Sequence, residues 1–257
     1  MNENIRSDVF EQAVTRKYRG KLWSKFIKAI KEYQLIKPGD SICVCISGGK
    51  DSMLLGKLFQ VLHKHSDFPF EVKYLVMNPG YNERNIELIK KNLGILGIPA
   101  EIVETNIFEI ANAQTKSPCF LCAKMRRGAL YNIAKKMGCN KIALGHHYDD
   151  VIETILLNQI YNGTFSGMLP ILDSDNYKGM KLIRPLYYIH EKDIESWVKY
   201  SELTFLDCAC IATKKNIGKR KEVKELTKQL VSMYKNSDIN IFNSMFNVNP
   251  NTTKTIN

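Results

Sequence analysis

SICVCISGGKDS, residues 41–52, is the stretch from which the fold can be read. Residues 41–46 form a short run rich in apolar and β-branched side chains, and residues 47–52 follow with two glycines between serines, then a lysine and an aspartate. An apolar strand that ends in Ser47-Gly48-Gly49 and passes into a helix brings bare backbone N–H groups and a helix N-terminus to one point, an arrangement that binds phosphate. Lys50 adds a positive charge there. The G-x-x-x-x-G-K-[ST] loop is absent, because Gly48-Gly49-Lys50 lacks a first glycine at the required distance. A different phosphate loop is expected. A bare Gly-Gly pair would mark only a strand-to-helix turn, and the full hexapeptide after a strand carries more than that.

On both sides of this stretch, strands and helices alternate. Residues 53–65 should be helix, 72–77 a strand apolar enough to be buried on both faces, 82–94 helix and 100–103 a third strand. Residues 123–137 read as helix, 141–144 as a fourth strand, 150–161 as helix, 181–183 as a fifth strand and 192–200 as helix. Such alternation predicts an α/β fold, a Rossmann-like parallel sheet of five strands covered on both faces. Ligands of such sheets bind where the winding reverses, between the first and fourth strands of a 3-2-1-4-5 order. Two polar loops should therefore meet, SGGKDS after the first strand and Gly145-His146-His147-Tyr148-Asp149-Asp150 after the fourth.

Helical additions flank the sheet. Leu22, Trp23, Phe26, Ile27, Ile30 and Tyr33 recur at helical spacing over residues 21–36, with lysines on the other faces. A second basic helix is expected over residues 219–234, with Lys219, Arg220, Lys221, Lys224 and Lys228 on its polar side. The expected division is an N-terminal basic region over 1–38, a nucleotide domain over 39–212 and a C-terminal basic helix and tail over 213–257. No internal repeat is found.

Lysine and arginine number 37 against 26 acidic residues, and the net charge of +11 favours a polyanionic partner, nucleic acid first. No apolar run is long enough to cross a bilayer, and MNENIRSDVF lacks the apolar centre of a signal peptide, so no membrane partner and a cytoplasmic location are expected.

Seven cysteines without an export signal do not read as a disulfide framework. Cys43, Cys45 and Cys139 lie in or before strands and read as buried, inert thiols. Cys119 and Cys122 instead open a helix that carries Arg126 and Arg127, a setting that depresses thiol pKa values. With Cys208 and Cys210 downstream, they could form a four-thiolate zinc site, an iron–sulfur cluster on three thiolates, or a metal-free persulfide pair.

Gly48, Gly49 and the following helix start would cradle phosphates, with Lys50 countering charge that builds on them during phosphoryl or adenylyl transfer. Asp51 and Asp150 beside a polyphosphate call for Mg²⁺, and Asp150 would also suit a helix N-cap. His146 and His147 are candidate acid–base groups.

PCFLCAKMRRGALY (118–131), KIALGHHYDDVIETILLN (141–158), SGMLP (166–170) and LIRPLYYIHEKDI (182–194), taken with SGGKDS, resemble the tRNA 2-thiocytidine synthetase (TtcA) family of PP-loop ATPases. The likeness runs from about Lys21 to Lys228. It implies an adenine nucleotide alpha hydrolase fold, ATP with Mg²⁺, and sulfur insertion into a cytidine of the tRNA anticodon loop. It also implies a [4Fe-4S] cluster on Cys119, Cys122 and Cys210, the second member of the downstream pair. ATP would be held by Ser47, Gly48, Gly49, Lys50, Asp51, Ser52 and Gly145, with adenine against the backbone near Met77. The implied catalytic residues are Lys50, Asp51 and Asp150. The implied partners are tRNA, a cysteine desulfurase or other sulfur donor, and a second copy of the chain. Met77-Asn78-Pro79-Gly80-Tyr81 departs from the family pattern, in a loop that should border the substrate. The cysteine pairs of the related 2-thiouridine enzymes are missing. Two other readings fit the same residues: a PP-loop ATPase that uses a persulfide or a small-molecule substrate, and a nucleotide-sensing module without turnover.

Overall fold

The computed structural model describes residues 3–113, 118–206 and 213–252. Its contacts divide the chain into two compact units, Met1–His147 with Pro170–Ala212, and Tyr148–Leu169 with Thr213–Asn257.

The first unit is built on a sheet of six strands in the order β3-β2-β1-β4-β6-β5, where β1 is Ser41–Cys45, β2 Glu71–Asn78, β3 Ala100–Glu104, β4 Lys141–Ala143, β5 Ile171–Asp173 and β6 Lys181–Ile183. The first four strands and β6 run parallel, with Cys45 opposite Leu75, Met77 opposite Val103, Val44 opposite Ala143 and Ala143 opposite Ile183. The 3-2-1-4-5 order holds, with β6 as the expected fifth strand. Five strands are parallel, as expected, and a sixth is added at the edge. β5 joins the edge antiparallel, Ile171 opposite Ile183, and with Ile171 half-buried and Leu172 and Asp173 exposed its three residues carry no apolar run long enough to announce it.

Helices of this unit are α1 (Glu3–Gln12), α2 (Ser24–Glu32), α3 (Lys50–Lys64), α4 (Glu83–Leu96), α5 (Ile107–Asn112), α6 (Pro118–Lys136) and, after β6, α8 (Glu191–Ser201). The second unit holds α7 (Tyr148–Asn162), α9 (Thr213–Met233) and α10 (Ser237–Ser244). β1 is central because Ile42, Cys43 and Val44 are fully buried, so neither face of the strand can be left to water. Among the described residues no helix is long and apolar enough to cross a membrane.

The amphipathic segment expected over residues 21–36 is shorter and differently wound. Two π-helical turns, Ala13–Lys17 and Arg19–Trp23, lead into α2. Gln34 then takes a left-handed φ of 48° and Leu35 N–H reaches back to the Ile30 carbonyl at 3.0 Å, closing the helix several residues before Pro38.

Lys57 on α3 is 2% exposed, and its ammonium donates to Ser7 Oγ at 2.9 Å and to the Leu96 carbonyl at 3.2 Å, pinning α1 against α3 and α4. Burial disfavours the charge and pushes its pKa down to about 8. The unfolded chain therefore binds more protons than the native one between pH 8 and the ordinary lysine value of 10.5, and this group's contribution to stability rises with pH across that window. Urea denaturation at several pH values is expected to show that rise for the wild type and to lose it in Lys57→Met.

Candidate nucleotide site

β1 delivers Ser47 and the two glycines to the carboxyl edge of the sheet. Gly48 has φ +89°, and a Cβ there would stand 2.8 Å from the side chains of Ile89 and Leu206, so only glycine fits without strain. Leu206 N–H donates to the Gly48 carbonyl at 3.1 Å. Gly49 is the N-cap residue of α3, in extended conformation. The two serines are tied to each other across the loop. Ser52 Oγ accepts from Ser47 N–H at 3.1 Å and donates to the Gly49 carbonyl at 2.9 Å, and the two hydroxyls lie 3.1 Å apart. With the serines spent on loop geometry, the first-turn N–H groups of α3 are the loop's means of binding an anion.

The loop after β4 meets this turn, as the topology requires. A Cβ on Gly145 would stand 3.1 Å from Asp51 C and from Ser52 N. Those are backbone atoms with nowhere to go. Gly145→Ala is expected to cost about 1–3 kcal/mol of stability by overpacking, and to weaken ATP binding about tenfold, some 1.4 kcal/mol, as read by thermal melting and calorimetry.

Lys50 Nζ lies 3.0 and 3.2 Å from the two carboxylate oxygens of Asp51 and 3.3 Å from Glu191 Oε1, the first residue of α8. Burial opposes the Lys50 charge, but the two carboxylates outweigh it and raise its pKa, so the group is an ammonium throughout the physiological range. His147 is buried, with Nε2 3.9 Å from Asp51 Oδ1. His146, the other candidate base, is half-buried in the same loop.

Beside the loop, Asn78 shapes the end of β2. Its Oδ1 accepts from Gly80 N–H at 3.0 Å and Tyr81 N–H at 2.6 Å, and the Tyr81 hydroxyl reaches the Ser47 carbonyl at 3.4 Å. The Met77–Tyr81 segment thus borders the glycine turn. Met77 itself packs in one apolar cluster with Ile107, Ala111 and Cys122. Since Cys45 is paired with Leu75, Met77 stands at the level of the loop, and Cys122 on α6 lies at the same carboxyl end of the sheet as SGGKDS. Cys122 is 8% exposed. Cys119 stands three residues earlier on α6, its side chain outside the described ones, and Cys208 and Cys210 lie outside the described residues. Among the described residues no three metal-ligating side chains gather. The three cysteines expected to act as inert thiols are buried, Cys43 at 0%, Cys45 at 7% and Cys139 at 5%.

Asp150 belongs to the second unit. There Arg220 places Nη2 3.4 Å from Asp150 Oδ1 and Nε 3.3 Å from Glu153 Oε2. Lys219 of the same helix lies 4.6 Å over the Tyr161 ring, whose hydroxyl donates to Glu222 at 2.6 Å. Part of the basic surface expected on α9 is therefore engaged by its own neighbours. In the first unit, Lys21 and Lys25 are likewise 3.7 and 3.3 Å from the buried Asp193 carboxylate.

Two site residues escaped the sequence. Glu191 stood there only within the family-like segment 182–194, and Tyr81 only as part of an unusual turn.

A glycine turn feeding a helix N-terminus at the β1/β4 switch point defines a PP-loop nucleotide-binding protein, and residues 21–216 match the PP-loop domain family. The tRNA-cytidine(32) 2-sulfurtransferase of Shewanella denitrificans is 35% identical over 97% of this chain and 78% of its own length, and that of Ralstonia pickettii 37% over 90% and 73%. The chain belongs to the tRNA 2-thiocytidine synthetase (TtcA) family of PP-loop enzymes. The U34-tRNA thiolase NcsA from Methanococcus maripaludis, solved with its [4Fe-4S] cluster, superposes with a TM-score of 0.67 at 23% identity, over 87% of this chain and 76% of that one. At that identity the likeness speaks for the fold.

Proposed function

We propose that this protein is an ATP-dependent tRNA sulfurtransferase that adenylylates the C2 carbonyl of a cytidine in the anticodon loop and replaces its oxygen by sulfur. The observation that carries this reading is the placement of Cys122 beside Met77, at the sheet edge that also carries the glycine turn. The names of its relatives support cytidine as the base and tRNA as the partner.

In this scheme the pyrimidine O2 attacks the α-phosphorus of ATP and pyrophosphate leaves. Ser47, Gly48, Gly49 and Ser52 shape the cradle around the polyphosphate, adenine lies against the backbone near Met77, and Gly145 lets the β4 loop close on the α3 start. Lys50 neutralises charge on the departing phosphates, and Asp51 is the loop's acidic group for Mg²⁺. Asp150 carries the same proposed affinity in its own unit. Sulfide sulfur then attacks C2, and AMP departs with the original oxygen.

A [4Fe-4S] cluster held by three thiolates would supply an open iron for sulfide. Cys122 fits that role as a buried thiol at the right edge of the sheet, and Cys119 and Cys210 would complete the set. A cysteine desulfurase or similar protein would deliver the sulfur, in the cytoplasm, to a homodimer. The basic side chains of α9 and the N-terminal turns would meet tRNA phosphates. The test is pyrophosphate release from ATP by anaerobically reconstituted protein. Release that depends on unmodified tRNA is expected, and none with active cluster and substrate would overturn the reading.

A further inference from the structure

The geometry points to Glu191 as a positioning residue for Lys50, fixing where the ammonium stands when charge develops on the polyphosphate. The inference rests on the adenylylation reading, in which Lys50 acts on the phosphates of ATP.

Lys50 carries a long flexible side chain, and ordering such a chain costs up to about 2 kcal/mol in rotamer freedom. Asp51 cannot by itself direct it. As the next residue in α3, Asp51 moves with Lys50 and fixes only their mutual distance. Glu191 is 141 residues away in sequence and comes from α8, so its contact at 3.3 Å ties the ammonium to a second element.

That element is firmly seated. Ile194 and Trp197 of α8 are fully buried, and Asp193 in its first turn is 5% exposed, facing Lys21 and Lys25. The Tyr18 hydroxyl donates to the Ser196 carbonyl at 2.9 Å, which holds the same helix from its outer side. Glu191 thus presents its carboxylate from a rigid support. Three carboxylate oxygens, two on Asp51 and one on Glu191, lie 3.0–3.3 Å from the Lys50 ammonium nitrogen. Two carboxylates around one ammonium leave a net charge of −1. Such a set gives little fold stability compared with a neutral pair, and its clear consequence is a lysine that is charged and aimed.

The pair is testable because aim and affinity separate. Glu191→Gln keeps the size of the side chain and removes one negative charge beside the polyphosphate, so ATP binding is not expected to weaken. Placement of a charge-stabilising group matters most in the transition state, where an error of about 1 Å can cost roughly 10²-fold. Turnover of pyrophosphate release with saturating ATP and tRNA is expected to fall about 10- to 100-fold in Glu191→Gln. The calorimetric ATP dissociation constant should stay within about threefold of the wild type or become tighter.

Glu191→Asp retains the charge but withdraws the carboxylate by one methylene. It is expected to lose turnover in the same way while melting like the wild type, and it serves as the decisive variant should the glutamine form melt early. Full turnover in either variant overturns the inference, as does an ATP affinity that falls in proportion to turnover. A wild-type protein that releases no pyrophosphate would instead sink the adenylylation reading, which keeps the two failures distinct.

Discussion

Lys50→Ala is expected to reduce tRNA-dependent pyrophosphate release by about 10²- to 10³-fold, the usual effect of removing one preorganised group that stabilises transition-state charge. The ammonium sits at the start of α3, in the turn that would take the phosphates, and its pKa is raised, so it is charged wherever the assay is run. Alanine at the first position of a helix preserves the helix. It leaves Asp51 and Glu191 facing a polyanion without their shared cation. The loss should therefore exceed what the missing contact alone would give. The protein's colour after anaerobic reconstitution should be unchanged, because Lys50 is not among the thiol-bearing residues. Loss of colour together with activity would mean that the variant had damaged the whole carboxyl edge.

The second large effect is expected from Cys122→Ser. Oxygen replaces sulfur at a buried position among Met77, Ile107 and Ala111, so the packing volume changes little while the thiolate is gone. Burying the hydroxyl costs about 1–3 kcal/mol, which a folded domain can absorb. On the proposed scheme the two half-reactions then part. Thiolated nucleoside in tRNA hydrolysates should fall below detection by mass spectrometry, and the visible absorbance of the reconstituted protein should be lost. Pyrophosphate release should persist within about tenfold, since the glycine turn and Lys50 are untouched. Loss of both half-reactions would mean that the thiol also supports the adenylylation pocket.

Local chemistry made some of this legible and long-range pairing hid the rest. SGGKDS could be read because each residue answers to its neighbours: Gly48 to a positive φ, and Ser47 and Ser52 to bonds closed within six residues. The meeting of that loop with Gly145 followed from strand order, which apolar runs and helix alternation disclose. The short strand β5 had no such signature. Its partner β6 supplies the edge on which it forms, and nothing in Ile171–Asp173 points to that edge. α5 and α10, six and eight residues long, are too brief for a helical period to stand out. The contact between Lys50 and Glu191 spans 141 residues and obeys no spacing rule, so it could only be found in space. Asp150, read as a phosphate neighbour from its place in the loop after β4, falls in the second unit, where Arg220 Nη2 lies 3.4 Å from its carboxylate.

The same contrast applies to charge. A surplus of basic residues was plain from composition, yet Lys21, Lys25, Lys219 and Arg220 each meet an acidic or aromatic neighbour within their own unit. The positive surface left for a polyanion is smaller than the count of lysines suggests.

Adenylylation of the base is tested most directly by following its oxygen. With tRNA carrying ¹⁸O at O2 of the target cytidine, a single turnover with ATP and a sulfide source should deliver the label into AMP, one atom for each thiolated base formed. Thiolated tRNA accompanied by unlabelled AMP, with the ¹⁸O found in water or inorganic phosphate, would contradict the account.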